Sequence, residues 1–317
     1  MTEPTWAPDM IEGFEHCTLP QPMASDGPVD ITVVRRLGAG TSGAAVLYVH
    51  GFSDYWFQTH LAEFYEAHGL RFYAVDLRRH GRSLRDHQLP NYTPDIDEYI
   101  ADLDAAIDLL RREEGVDWLL VNGHSTGGLV AVLQAHRGAR RVGVDAVYLN
   151  SPFLDMNLPP LQEKLLEPAL SAVGNVAPTF VLPGLSSFYG DSIHSSRKGS
   201  WDFDLAYKPL AGFPARAGWF RAIHRAQAEV ARGLTITAPV LLLHAGHSSH
   251  PKVWDEDVRH SDVVLDVADM IRLGPGLGTD VEVVGVPDGI HDLALSEPVP
   301  RAASFALVAA WLVRVRA

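Results

Sequence analysis

The chain has 317 residues, of which 47% are hydrophobic and 21% charged, with a formal net charge of −13 at neutral pH. That size suits one large α/β domain or two small ones. The acidic balance, with no cluster of Lys or Arg, argues against a nucleic-acid partner, and the lone Cys17 excludes an intrachain disulfide and argues against thiolate metal sites.

Residues 1–15 carry Glu3, Asp9 and Glu12 but no basic residue, and no apolar run follows them. The expectation is therefore a cytoplasmic chain without a secretory signal. Two opening strands are expected over Phe14–Leu19 and Val29–Leu37, with a turn at Ser25-Asp26-Gly27-Pro28. Gly38–Gly43 matches the dinucleotide pattern G-x-G-x-x-G, but that pattern must follow a strand and open a helix. Here it precedes the strand Ala44–Val49, so a flexible hairpin loop is expected; Gly274–Gly278 is set aside because it contains Pro275 and a strand follows it.

The strand ending at Val49 runs into His50-Gly51-Phe52. A helix is expected from Phe57 to His68, with Leu61, Phe64 and Tyr65 on one face and Gly69 as its stop. The strand Leu70–Leu77 ends at the polar loop Arg78–Ser83. Thr93-Pro94 reads as a helix start, and Ile96, Ile100, Leu103, Ile107 and Leu110 recur at helical spacing. Asp97, Asp102, Asp104 and Asp108 lie off that stripe and are expected to be a solvated face. The sequon Asn91-Tyr92-Thr93 has no expected use without a secretory signal.

The strand Asp117–Val121 leads into Gly123-His124-Ser125-Thr126-Gly127-Gly128, and Leu129–His136 continues as a helix. This is G-x-S-x-G in its required strand–turn–helix context, with small residues on both sides of a strained central Ser. A further strand, Asp145–Leu149, completes an alternation that implies a parallel sheet with helices on both faces. From Leu154 to Leu234 no clean strand is legible; prolines and aromatics dominate, as in Leu158-Pro159-Pro160-Leu161, Leu165-Leu166, Phe188-Tyr189 and Trp219-Phe220. The expected organisation is a core of residues 1–153 and 235–317, with 154–234 inserted as a helical cap or lid. The sheet resumes at Pro239–His244 and Val281–Val286, and Val299–Val315 closes the chain as a helix. Its apolar run Phe305–Val313 is too short to span a bilayer, so a buried helix is expected and no transmembrane segment.

An activated Ser needs a base, an orienting acid and an oxyanion hole, supplied in the chain order Ser, acid, His. Ser125 is the expected nucleophile. His291, in the loop after the last strand, is the expected base. The oxyanion donors should be the N–H of Thr126, directly after the nucleophile, and that of Phe52. The acid should follow the strand ending at His244, where Asp262 and Asp266 are the best candidates and Asp155 is an outside one. His244, His247 and His250 fall three apart, but in a loop that spacing does not face three imidazoles together, so no metal is expected.

These pieces together resemble an α/β-hydrolase of the monoacylglycerol-lipase and serine-aminopeptidase-like branch. The matching stretches are His50-Gly51-Phe52, Asp76–Ser83, Gly123–Gly128, Pro239–His244 and Gly289-Ile290-His291-Asp292. The resemblance covers residue 44 to the end, apart from the cap. It implies the α/β-hydrolase fold, an esterase or lipase activity on a small-molecule ester with a lipophilic acyl or aryl part, and no cofactor. In this branch the acid usually follows its strand closely, as G-x-x-D-x-x-V-x-x. Here Ser248 and Ser249 stand near its expected place, and the resembling run is Asp262-Val263-Val264-Leu265-Asp266. The resemblance thus implies an insertion between Gly246 and Ser261, with Asp262 as the acid and Asp266 capping the next helix. Rival readings on the same fold are an aminopeptidase using cap carboxylates such as Asp191, Asp202 or Asp204, a lactonase, a carbon–carbon bond hydrolase, or a non-catalytic ligand-binding protein. The number of subunits is not legible.

Overall fold

The computed structural model describes residues 4–38, 40, 42–156, 172–182 and 186–317. Nine strands form one sheet: β1 Ala7–Pro8, β2 Phe14–Ala24, β3 Gly27–Arg36, β4 Ala44–Val49, β5 Arg71–Asp76, β6 Trp118–His124, β7 Ala146–Asn150, β8 Val240–Ala245 and β9 Val281–Val286. Their spatial order is β1-β2-β3-β5-β4-β6-β7-β8-β9. Pairings from β1 to β5 are antiparallel, and those from β5 through β9 are parallel. This is the α/β-hydrolase fold, with a mostly parallel sheet between helices.

Parallel strands covered on both faces can be apolar throughout. Ala44–Val49 and Val240–Ala245 are buried at every position. One face packs against α2 (Asp97–Arg112), α3 (Thr126–Arg137) and α5 (Ala217–Val230) through Leu103, Leu129 and Ile223. The other face packs against α1 (Thr59–Ala67) and α7 (Pro298–Val315) through Tyr65, Trp311 and Leu312. Because the strands from β4 to β9 run the same way, their carboxyl ends collect the loops after residues 49, 76, 124, 150, 245 and 286 along one edge.

Several elements differ from their sequence expectation. β2 runs on to Ala24 through Pro20 and Pro22. Its outer side meets β1 only at Glu15 and His16, so beyond them it is an edge strand where a missing N–H costs no ladder bond. α2 begins at Asp97, not at Pro94; the Thr93 hydroxyl caps the preceding turn by accepting from Asp95 N–H. Asp102 is not solvated. It is fully buried and holds Arg78 in a bidentate pair at 2.8 and 2.6 Å, tying the loop after β5 to α2. Asn91 of the sequon is buried as well. The closing helix α7 is not a buried one: only 28% of its residues are buried, with Pro300, Ser304, Val308, Trp311 and Leu312 facing inward and Val299 and Val313 exposed. With a mean hydropathy of 1.2, it is the one described helix long and apolar enough to cross a membrane by length and composition alone.

Between β7 and β8 the described residues form no sheet strand. They include α4 (Phe188–Ile193) and α5. Of the apolar stretches expected to build this segment, Leu158–Leu161 and Leu165-Leu166 lie outside the described residues, as do Ala39 and Thr41 of the glycine-rich loop. Ile193 and Phe203 of the segment pack with Tyr55, Phe57, Ile290 and Leu295 of the sheet-bearing part.

Candidate active site

Ser125 sits between β6 and α3 with φ +52° and ψ −118°. A non-glycine residue persists there only when its surroundings over-determine it, and three glycines supply that constraint. A Cβ on Gly123 would lie 2.5 Å from the carbonyl oxygen of Gly127, and one on Gly127 would lie 2.3 Å from that of Val49. One on Gly128 would lie 2.7 Å from Pro152 Cβ. The turn is thus wedged between β4 and the loop after β7. Ser125 N–H donates to the Asn150 carbonyl at 3.1 Å, and its own carbonyl accepts from Phe153 N–H at 3.0 Å. The residue is held from both sides at the sheet's carboxyl edge.

Thr126 opens α3, so its N–H has no carbonyl four residues back within the helix and is available to a ligand. Phe52 lies one residue beyond Gly51, where an added Cβ would stand 3.1 Å from Ser125 Cβ. With only hydrogen at that position, the Phe52 loop comes up against the elbow.

His291 lies in the loop after β9 and is buried. Its Nδ1 is 2.8 Å from Asp262 Oδ2. Asp262 is fully buried, and its other oxygen accepts the N–H groups of Val264 and Leu265, each at 2.8 Å. A carboxylate held this way accepts a hydrogen bond from Nδ1–H and so leaves the lone pair of Nε2 free. Rings pack around the imidazole: His124 at 4.9 Å between centroids and Tyr189 edge-on at 5.5 Å. His124 precedes Ser125, so these contacts bring the two loops together. Among the described residues no hydrogen bond joins Ser125 Oγ to His291; such bonds commonly tighten only with substrate bound.

The excursion after β8 explains how so distant an Asp reaches His291. Asp262 N–H donates to the His247 carbonyl and Ser249 N–H to the Asp262 carbonyl, both at 3.0 Å, pairing Ser248 with Asp262 in a parallel bridge. The chain leaves at Ser248, runs through 249–261 and returns beside its point of departure. Asp266 does not reach His291. It is the N-cap of α6 (Val267–Leu273) and accepts from Ala268 N–H at 2.9 Å. We expect Asp266→Ala to cost about 1 kcal/mol of stability, read by urea unfolding, and to leave turnover unchanged. Asp155, the outside candidate, pairs with Arg272 instead.

Three polar features were given no role by the sequence. Asp292, next to His291 and fully buried, accepts from Asn150 Nδ2 at 2.7 Å, Gln58 Nε2 at 3.2 Å and Ala294 N–H at 3.0 Å. It fixes the His291 loop to the end of β7. His124 has Nδ1 3.1 Å from the Asn150 carbonyl, and burial lowers its pKa, so it is a neutral neighbour of Ser125. Asp54 and Lys208 form a buried ion pair at 2.6 Å. Burial alone would raise the Asp54 pKa, but the Lys208 charge beside it holds it below the usual carboxylate range.

Phe52, Trp219 and Phe153 form an aromatic wall beside the elbow, with ring centroids 4.3 and 6.4 Å apart. The carboxylates weighed for an aminopeptidase make contacts within their own segment or face solvent. Asp191 accepts from Ser187 Oγ at 2.8 Å, Asp202 has a 94% exposed side chain, and Asp204 accepts from Ala206 N–H. Among the described residues no group of His, Cys, Asp and Glu could hold a metal ion.

Residues 40–252 match the family model described as serine aminopeptidase, S33. Solved structures with the same fold include a soluble variant of monoglyceride lipase from Saccharomyces cerevisiae in complex with a substrate analogue. It is 15% identical, with a TM-score of 0.66 and coverage of 99% of this chain and 96% of that one. Est1E from Butyrivibrio proteoclasticus is 14% identical, with a TM-score of 0.56 and coverage of 94% and 98%. An epoxide hydrolase from Vigna radiata is 19% identical, with a TM-score of 0.58 and coverage of 96% and 99%.

Proposed function

The chain belongs to the serine aminopeptidase S33 family of α/β-hydrolases, and on that premise we propose that it hydrolyses carboxylic esters through an acyl-enzyme on Ser125. The observation that carries this reading is the strained Ser125 at the same sheet edge as a buried His291–Asp262 pair. Ser125 Oγ attacks the ester carbonyl while His291 Nε2 takes its proton. The N–H groups of Phe52 and Thr126 hold the oxyanion. Asp262 stabilises the imidazolium, which returns the proton to the leaving alcohol. Water then attacks the acyl-enzyme by the same relay. Residues 154–234 act as a cap, and the aromatic wall of Phe52, Phe153 and Trp219 favours a lipophilic acyl or aryl group.

A serine at the elbow separates this chemistry from epoxide hydrolysis, where the fold uses Asp. An ester is favoured over an amino-terminal peptide because the wall beside the elbow is aromatic, and the buried Asp54 carboxylate is already paired with Lys208 and so is unavailable to a substrate ammonium. A fluorophosphonate probe is expected to label the wild type and not Ser125→Ala; an unlabelled wild type would overturn the reading. Medium-chain nitrophenyl esters should be cleaved with a higher kcat/KM than the acetate, and both faster than an amino-acid anilide. Equal preference for acetate removes the lipophilic pocket, and a preferred anilide replaces the ester with a peptide.

A further inference from the structure

The loop that would supply the second oxyanion donor does not stand on its own. Residues 51–54 turn sharply, and Ser53 is held at φ +53°. Asp54 folds back within the loop: its Oδ2 accepts the Gly51 N–H in a long 3.4 Å bond. Its Oδ1 accepts Lys208 Nζ at 2.6 Å, across from the segment between β7 and β8. The same segment donates a second bond, from Phe213 N–H to Ser53 Oγ at 2.7 Å. Phe52, between these anchors, lays its ring against Trp219 of α5 at 4.3 Å. All three consecutive side chains of the loop are therefore held by residues 208–219.

Lys208 is itself built in. Its side chain is 8% exposed and that of Asp54 is 1% exposed. The ammonium lies 5.8 Å from the ring centroids of Phe57, Tyr189 and Phe203. An ammonium so placed loses its water, and the carboxylate is what compensates it. A lysine serving only to hold the segment down would gain as much at the surface, without desolvation.

We infer that Lys208 is a positioning residue for the oxyanion hole: with the Phe213 N–H it clamps residues 51–54, so that the Phe52 N–H faces Ser125 only while the 208–219 segment is seated. The catalytic half of this inference rests on the ester-hydrolase reading; the clamp does not. Seating the segment and completing the site then become one event, and an unseated enzyme is chemically silent although Ser125, His291 and Asp262 are all in place.

The test compares Lys208→Met and Ser53→Ala with the wild type and with Trp201→Phe. The last removes the Trp201 Nε1 bond to the Leu295 carbonyl (2.7 Å), which joins the same two parts of the molecule away from the loop. Amide exchange is followed by mass spectrometry on a peptide covering residues 51–57, and kcat and KM on a nitrophenyl ester. In Lys208→Met and Ser53→Ala, exchange of this peptide should rise about tenfold or more. The kcat should fall about 10- to 100-fold in Lys208→Met, with KM within about threefold, as expected for a lost transition-state contact. Trp201→Phe should leave the exchange of this peptide unchanged. If Lys208→Met does not fold, Ser53→Ala carries the same comparison. Exchange within twofold of wild type in the folded variants overturns the clamp. Equal loosening in Trp201→Phe overturns it too, because the effect is then general. Faster exchange in a wild-type background that cleaves no ester leaves the clamp standing and removes the ester reading.

Discussion

Asp262→Asn is expected to lower kcat by about 10⁴-fold at neutral pH while the protein stays folded. The size of the effect follows from which end of the amide faces the imidazole. Asp262 Oδ1 accepts the N–H groups of Val264 and Leu265. In the Asn variant the carbonyl oxygen must take that place, because an NH₂ there would meet two donors. The amide NH₂ then falls where Oδ2 stood and donates to His291 Nδ1. The ring is driven to the other tautomer, its Nε2 carries the proton, and the base is lost without any loss of packing. Steady-state kinetics with a thermal melt on the same sample reads both halves. A fall of less than tenfold would assign the acid elsewhere.

Gly127→Ala is expected to destabilise the protein by about 3 kcal/mol or more and to reduce the activity of whatever folds. The added methyl would sit 2.3 Å from the Val49 carbonyl oxygen and 2.4 Å from that of His50. Neither is the end of a flexible side chain. Val49 ends β4 and His50 follows it directly; β4 is paired with β5 and β6 on its two sides and cannot retreat without breaking the ladder. The displaced backbone is also the one that leads to Phe52, so stability and turnover fall together. Gly276→Ala is the control, because a methyl there meets nothing within 4 Å. Chemical unfolding and kcat of the two variants check it; a Gly127→Ala protein as stable as wild type would refute the wedge.

How much could be read beforehand depended on how far apart the interacting residues are. The strands and the turn at Ser125 were legible because period, glycine placement and chain order are local. Asp262 was legible only through the apolar run that follows it. Asp102 was misread as solvated. Tyr99 and Ala106, three before and four after, are buried, so the inward stripe of α2 is wider than its aliphatic residues alone suggest, and Asp102 lies on it. The closing helix was misread as buried because apolar residues surround it; no polar stripe betrays that one face stays uncovered. Asn150 with Asp292, and Asp54 with Lys208, left no local trace. They are single polar residues brought together from 142 and 154 positions apart, and only the packed sheet edge makes them partners.

The bridge between Ser248 and Asp262 separates the place of the carboxylate in space from its place in the chain. With Ser248 and Asp262 bridged to each other, the length of 249–261 is uncoupled from the position of Asp262. The carboxylate stands against the imidazole although 249–261 separates it from its strand. Counting residues forward from β8 therefore does not locate this carboxylate. What distinguishes Asp262 locally is the turn it closes, accepting the N–H groups of Val264 and Leu265, and the helix that Asp266 caps directly after it.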